Sequence, residues 1–130
     1  MLKKTIKFTD YNGVEREEDF YFNLSEAEVM EMEMSHNGGI TTMIQRIVKE
    51  KDQEKIVEIF KDLILRAHGR KSDDGRKFIK NQEIRDDFLH TEAYSKLFME
   101  LASSDKAAAD FVNGIVPKPK KQPNTNPNAK

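Results

Sequence analysis

Several groupings in this sequence have residue types that can do chemistry, and none has the spacing that chemistry needs. Gly69-Arg70-Lys71-Ser72 resembles the end of a phosphate-binding loop, in which backbone N–H groups and a lysine cradle phosphate. Such a loop needs a further glycine at position 64 and a strand before it. Position 64 is Ile, and the segment before the loop reads as helix. Asp73-Asp74-Gly75 suggests a calcium loop. With Gly75 at the sixth loop position, Arg70 falls on the first and Asn81 on the twelfth. The first acidic ligand and the closing bidentate glutamate are therefore both missing. His36, His68 and His90 have no metal-ligand spacing, and the chain has no cysteine to join them. His68 stands near a helix end, where an imidazole serves the terminal carbonyls and the helix dipole. Asp86 and Asp87 are adjacent, so a helix points them to different sides, and they do not form a catalytic pair. These patterns imply no enzyme, no cofactor and no metal site.

Composition points the same way. The chain has 130 residues, of which 37% are hydrophobic and 35% charged, enough for one domain with a modest core. No apolar run approaches the ~20 residues of a membrane span. MLKKTIKFTD lacks the apolar stretch of a signal peptide, so Asn23-Leu24-Ser25 is not read as a glycosylation acceptor. The absence of cysteine suits a reducing cytoplasm.

The net charge of −1 conceals an asymmetry: residues 1–35 hold four Lys/Arg against nine Asp/Glu, residues 36–117 hold fourteen of each, and residues 118–130 hold four lysines and no acid. An acidic head and a basic tail would let copies attract each other head to tail, so self-association is expected.

The elements that position these groups read as follows. Residues 2–9 and 14–22 form two strands around Tyr11-Asn12-Gly13. A two-residue loop would pair Ile6 with Asp19 and Phe8 with Glu17. A three-residue loop with Gly13 left-handed instead places Leu2, Ile6 and Phe8 on one face with Val14, Phe20 and Phe22, and is preferred. Such a hairpin must lean on helices. Ser25-Glu26-Ala27-Glu28 is a capping box, with Leu24 and Val29 as a hydrophobic staple. The helix it opens carries Ala27, Met30 and Met34 on one side and ends before Asn37-Gly38-Gly39. Met30, Met32, Met34 and Met43 form a methionine-rich patch, read as core before adaptable binding surface.

Ile40, Met43, Ile44, Ile47 and Val48 have helical spacing. Asp52 caps a longer helix through His68, with stripe Ile56, Phe60, Leu63, Ile64 and Ala67, and Gly69 reads as its C′ residue. Ile59 and Leu65 fall off that stripe and are candidates for meeting a partner. Arg70 to Lys80 reads as a polar loop with a short strand-like step at Phe78-Ile79. Its Arg70, Lys71, Arg76 and Lys77 are candidate contacts to an acidic partner. A helix over Gln82–Leu89 buries Ile84 and Phe88. Thr91 caps the next, with Tyr94, Leu97, Phe98 and Leu101. Asp105 caps the last, with Ala108, Phe111, Val112 and Ile115. The expected fold is α+β and mainly helical: a β-hairpin (1–22) packed on a bundle of about five to six short helices (25–115) within one domain (1–117). The tail 118–130, with three prolines and almost no apolar residue, is expected to be disordered.

The order of these features resembles the tail assembly chaperones of long-tailed, siphovirus-type phages and prophages of Gram-positive bacteria. The hairpin at Tyr11-Asn12-Gly13, Phe20-Tyr21-Phe22-Asn23-Leu24-Ser25 into an acidic Met-rich helix, and Gly38-Gly39 carry the first part. His68-Gly69, Lys71-Ser72-Asp73-Asp74-Gly75 and Phe78-Ile79-Lys80 carry the middle; His68 departs from an aromatic such as tyrosine expected there. Thr91-Glu92-Ala93-Tyr94 through Leu97-Phe98-Met99-Glu100-Leu101, then Phe111 and Pro117, carry the end. The resemblance implies a non-enzymatic protein of the host cytoplasm, not retained in the virion. It would bind the long helical tape measure protein and keep it soluble until tail tube protein polymerises around it. A longer form made by ribosomal frameshifting would help recruit the tube protein. A small nucleic-acid-binding regulator using the basic loop and tail is the alternative, although the near-zero net charge and the lack of a basic recognition helix speak against it.

Overall fold

A computed structural model describes residues 1–35 and 53–117, together with Gln45. The helix expected around Ile40 to Val48, the Asp52 cap, the side chain of Ile56, His36, Met43 and the tail 118–130 lie outside the described residues.

Strands β1 (Leu2–Thr9) and β2 (Glu15–Phe22) pair antiparallel, with Leu2 opposite Phe22, Ile6 opposite Glu18 and Phe8 opposite Arg16. This is the register of the three-residue loop. Gly13 sits at φ 80°, and its N–H donates to the Asp10 carbonyl. Asp10 closes the turn: its carboxylate accepts the Asn12 and Val14 N–H groups at 2.9 Å each and the Arg16 guanidinium at 2.6 Å. Ile6, Phe8 and Phe22 are buried on the inner face, whereas Val14 lies past the end of the strand and is exposed.

The capping box forms reciprocally. The Glu28 N–H donates to Ser25 Oγ, and the Ser25 N–H donates to Glu28 Oε1. It opens α1 (Glu26–Ser35). The helix buries Met32 beside Leu24, with Val29 packed against the same core, and leaves Met30 and Met34 in solvent. The core reading of the methionine patch therefore fails for Met30 and Met34. The staple residues fix which side faces inward, and Met32 stands one turn beyond Val29 on that side.

Helix α2 (Gln53–Ala67) buries Phe60, Leu63, Ile64 and Ala67. It ends one residue earlier than expected, because His68 begins a strand. In β3 (His68–Lys71), His68 pairs with Phe22 and Gly69 with Tyr21. Gly69 is not a left-handed C′ residue; among the described glycines only Gly13 and Gly75 have positive φ. Its missing side chain matters for another reason. A Cβ there would stand 2.7 Å from the Phe78 ring and 2.9 Å from the Ile79 carbonyl. The expected polar loop is in fact a second hairpin, in which β3 pairs with β4 (Phe78–Ile79) around a turn at residues 72–77. The sheet order is β1-β2-β3-β4.

Three capped helices complete the fold. Asn81 caps α3 (Gln82–Leu89), which buries Ile84 and Phe88, and Thr91 caps α4 (Glu92–Ser103). The last, α5 (Asp105–Ile115), is capped by Ser104 rather than Asp105: Ser104 Oγ accepts the Ala107 N–H at 3.1 Å, and Asp105 is the first helical residue. The helices α4 and α5 lie against β1, and α2 packs on α4. Where the chain leaves β2, the Asn23 N–H donates to the Ala67 carbonyl and the Leu24 N–H to the Ile115 carbonyl. The strand exit thereby satisfies a terminal carbonyl of each of two helices. The core joins Phe22, Leu63, Ile64, Leu97 and Ile115, all nearly inaccessible, so the structure is α+β, mainly helical, with its N-terminal hairpin packed on the helices.

Candidate partner-binding surface

The turn between β3 and β4 is held by its own polar atoms. Ser72 Oγ donates to Asp74 Oδ1 at 2.8 Å and accepts the Lys77 N–H, while Asp74 Oδ1 also accepts the Arg76 N–H. The Arg76 N–H and the Ser72 hydroxyl hold the Asp74 carboxyl below its usual range. Asp74 is thus occupied in shaping the turn, with Gly75 at φ 77°. Around this scaffold Arg70, Arg76 and Lys77 are exposed. Lys71 is half-buried, its ammonium 6.0 Å above the Tyr21 ring. The fold therefore gathers the four basic residues at one protruding hairpin. What the turn offers is positive charge at its rim.

Ile59 and Leu65 are placed otherwise. Ile59 is 6% exposed, and Leu65 is half-buried against the core. Ile59 presents no free apolar surface, and Leu65 only part of its side chain. Val57 on α2 and Met99 on α4 are exposed singly, and the one pair of exposed apolar side chains on a described helix is on α1. Met30 is 62% and Met34 81% exposed, four residues apart and so one above the other, between Glu26, Glu31 and Glu33. The sequence places Ala27, Met30 and Met34 on one side of α1, but with an apolar residue at nearly every second position it does not show that this side faces solvent.

His68 stands at the start of β3, beside the core. It is 7% exposed, stacks on Phe88 with ring centroids 4.4 Å apart, and its Nδ1 lies 3.1 Å from the Tyr21 carbonyl oxygen. Burial pushes its pKa down to about 4, against the pull of the Tyr21 hydrogen bond. Neutral His68 donates to a strand carbonyl, not to the end of its preceding helix. It floors an open cleft of about 310 Å³ with Phe20, Ile84 and Phe88, between walls carrying Asp19 and Lys71. His90 is exposed, and Asp86 accepts from Gln82 along its own helix. Among the described residues no three His, Asp or Glu side chains gather as a metal site, and no helix is long and apolar enough to cross a membrane.

A basic hairpin tip and an exposed methionine pair on an acidic helix can hold protein partners. No curated protein and no solved structure matches the chain. One protein family does, described as phage tail assembly chaperone, and the match covers residues 1–126. That span takes in the hairpin, the methionine-bearing helix and the basic tip together, and the chain belongs to the family of phage tail assembly chaperones.

Proposed function

We propose that this protein binds the tape measure protein in the host cytoplasm and keeps it soluble while the tail is built. Family membership implies a non-enzymatic role with partners among phage tail proteins. The exposed Met30–Met34 pair carries the finer reading. A long helical client exposes apolar stripes that aggregate, and flexible, polarisable methionines cover varied stripes without demanding one sequence. The helix-in-groove geometry of such contacts gives weak single sites that add along one long client. The basic tip supplies a second contact, to acidic residues on the client or on a neighbouring chaperone.

A longer product that also recruits tail tube protein belongs to the same reading. Pro119-Lys120-Lys121 can be encoded as CCA-AAA-AAA, which contains the heptamer A-AAA-AAA in the frame for a −1 shift. Mass spectrometry of infected cells for a longer product sharing residues 1–117, beside the nucleotide sequence, tests that part alone. An interrupted heptamer with no extended product removes it.

Co-expression tests the central proposal. The matching tape measure protein should move from the insoluble to the soluble fraction with this chain, and Met30→Ser with Met34→Ser should return it to the pellet. A client that stays insoluble at every expression ratio, with the short and any longer product alike, overturns the reading. Salt-sensitive binding to DNA without client binding would favour a nucleic-acid role.

A further inference from the structure

The exposed side of α1 joins apolar surface to one sign of charge. The helix holds Glu26, Glu28, Glu31 and Glu33 and no lysine or arginine. Glu28 is turned to Lys80. A helix turns about 100° per residue, so Ala27, Met30 and Met34 form one exposed stripe, with Glu26 and Glu33 along one flank and Glu31 along the other. Those three carboxylates are exposed as well. Glu31 shares a hollow with Arg66 and Arg85, so the negative charge of the stripe is carried by Glu26 and Glu33. Glu33 stands in the last turn of α1, where a carboxylate opposes the helix dipole and no basic residue of the helix offsets it. Its charge therefore does not serve the stability of α1.

On the basis of the client reading above, we propose that this face takes an amphipathic helix whose apolar stripe is bordered by lysine or arginine, and so selects such segments of the client. Two methionines one turn apart cover about one turn of a partner's stripe. That contact alone is not selective, since thioethers adapt to many apolar shapes. The carboxylates supply the selection: they attract a cationic border, and an acidic border brings like charges together as its stripe docks. The same charge turns away other occupants. Nucleic acid and anionic lipid surfaces both present phosphate to it. The tail 118–130 has four lysines but almost no apolar residue to lay on methionine. A cationic amphipathic helix satisfies both halves of the face.

Two fluorescent peptides of about 20 residues test the proposal, long enough to form helices. Both carry the same leucine stripe, bordered by lysine in one and by glutamate in the other. Anisotropy with the full chain should show the lysine peptide binding roughly tenfold or more tighter at about 50 mM salt, with the gap closing towards about 500 mM. Met30→Ser with Met34→Ser should abolish binding of the lysine peptide at both salt concentrations. Glu26→Gln with Glu33→Gln should erase the preference and leave residual apolar binding. Glu15→Gln with Glu17→Gln, on β2, should leave the preference intact. Glu28 rather than Glu26 closes the capping box, so the α1 pair of substitutions spares it. Should that variant melt early, Glu33→Gln alone decides by narrowing the gap. Equal binding of the two peptides overturns the proposal, as does a preference that survives the loss of the Glu26 and Glu33 charges. Binding of neither peptide, with the tape measure protein still solubilised, overturns it and leaves the client reading standing. A tape measure protein that stays insoluble while the lysine peptide binds as expected supports the charge preference of the face and overturns the client reading.

Discussion

Lys80 and Glu28, 52 residues apart in sequence, meet with Nζ 2.7 Å from Oε2, and the same ammonium donates to the Asn23 carbonyl at 2.6 Å. One contact thus ties the end of the second hairpin to the first turn of the methionine-bearing helix. Glu28 has a double task, since its other oxygen accepts the Ser25 N–H of the capping box. Burial pushes the Glu28 carboxyl up, but the Lys80 and Ser25 hydrogen bonds outweigh it and leave it below its usual range. Burial also pushes Lys80 down, and Glu28 offsets that only in part. The directions differ in meaning: the pair favours the carboxylate and does not fully repay the desolvated ammonium.

An asymmetry between two substitutions follows. Lys80→Met keeps the stem packing and removes a charge that is costly to bury, and should cost only about 1–2 kcal/mol. Glu28→Ala breaks the capping box and leaves the ammonium, which is 10% exposed, without its carboxylate, so it should cost about 2–4 kcal/mol. Urea denaturation of both variants checks the order, and equal losses would show that the pair is inert. Hydrogen exchange at the first turn of α1 should quicken in both.

His68 gives the protein an acid-sensitive core contact. Its folded pKa of about 4 lies below the ordinary 6.5, so between these values the unfolded chain binds a proton that the folded chain refuses. The stabilisation is fully present above pH 6.5 and is lost as pH falls towards 4, amounting to about 3 kcal/mol over the window. Glu28 acts in the same sense but lower, because a depressed carboxylate loses its contribution only as pH falls through the carboxylate range. His68→Phe keeps the ring stack on Phe88 and removes the titration. Its stability should change little between pH 6.5 and 4.5, at the cost of about 1 kcal/mol at pH 7 for the unpaired Tyr21 carbonyl. A pH slope unchanged from wild type would assign the acid sensitivity elsewhere.

The helices at the end of the chain were legible because their signals agree. Thr91 precedes a run of apolar residues at helical spacing and accepts the Tyr94 N–H as a cap should, while the caps Asn81 and Ser104 come from the structure. Choosing Asp105 over Ser104 was an error between two good capping residues standing side by side. The hairpin register was legible because only one loop length puts Ile6, Phe8, Phe20 and Phe22 on a common face. Strand β3 was not. His-Gly-Arg-Lys has no apolar alternation, and its pairing with Phe22 and Tyr21 comes from tertiary contact alone. The basic half of the candidate surface could be read from composition. The methionine half could not, since Met30, Met32 and Met34 recur every two residues and a helix then offers no unique buried face.

Gly69 marks the place where that unseen strand depends on the smallest residue. A Cβ at this position must push aside the Phe78 ring and meets the Ile79 carbonyl, which is backbone and gives less. Gly69→Ala should therefore destabilise by about 1–3 kcal/mol and loosen β4 before the rest of the sheet. Thermal denaturation together with amide exchange at Arg70 and Ile79 tests this, and an unchanged melting point would mean that the hairpin shifts freely.

The two halves of the candidate surface should leave different signatures in binding. Changing Arg70, Lys71, Arg76 and Lys77 to serine removes charge from an exposed tip, where single ion pairs contribute only about 0–1 kcal/mol. The cation over Tyr21 adds a comparable small amount. The melting temperature should barely move, and client binding should weaken in low salt but not in high salt, where those charges are already screened. Met30→Ser with Met34→Ser should also leave the melting temperature nearly unchanged, because both side chains are in solvent. Its loss of client binding should persist at every ionic strength, since apolar contact is not screened. Binding to tape measure fragments, titrated with salt for both variants, separates the contributions. Were the methionine variant to bind as well as wild type throughout, α1 would not be the client-facing helix. A basic-tip variant that binds normally in low salt would leave that turn a solvated loop.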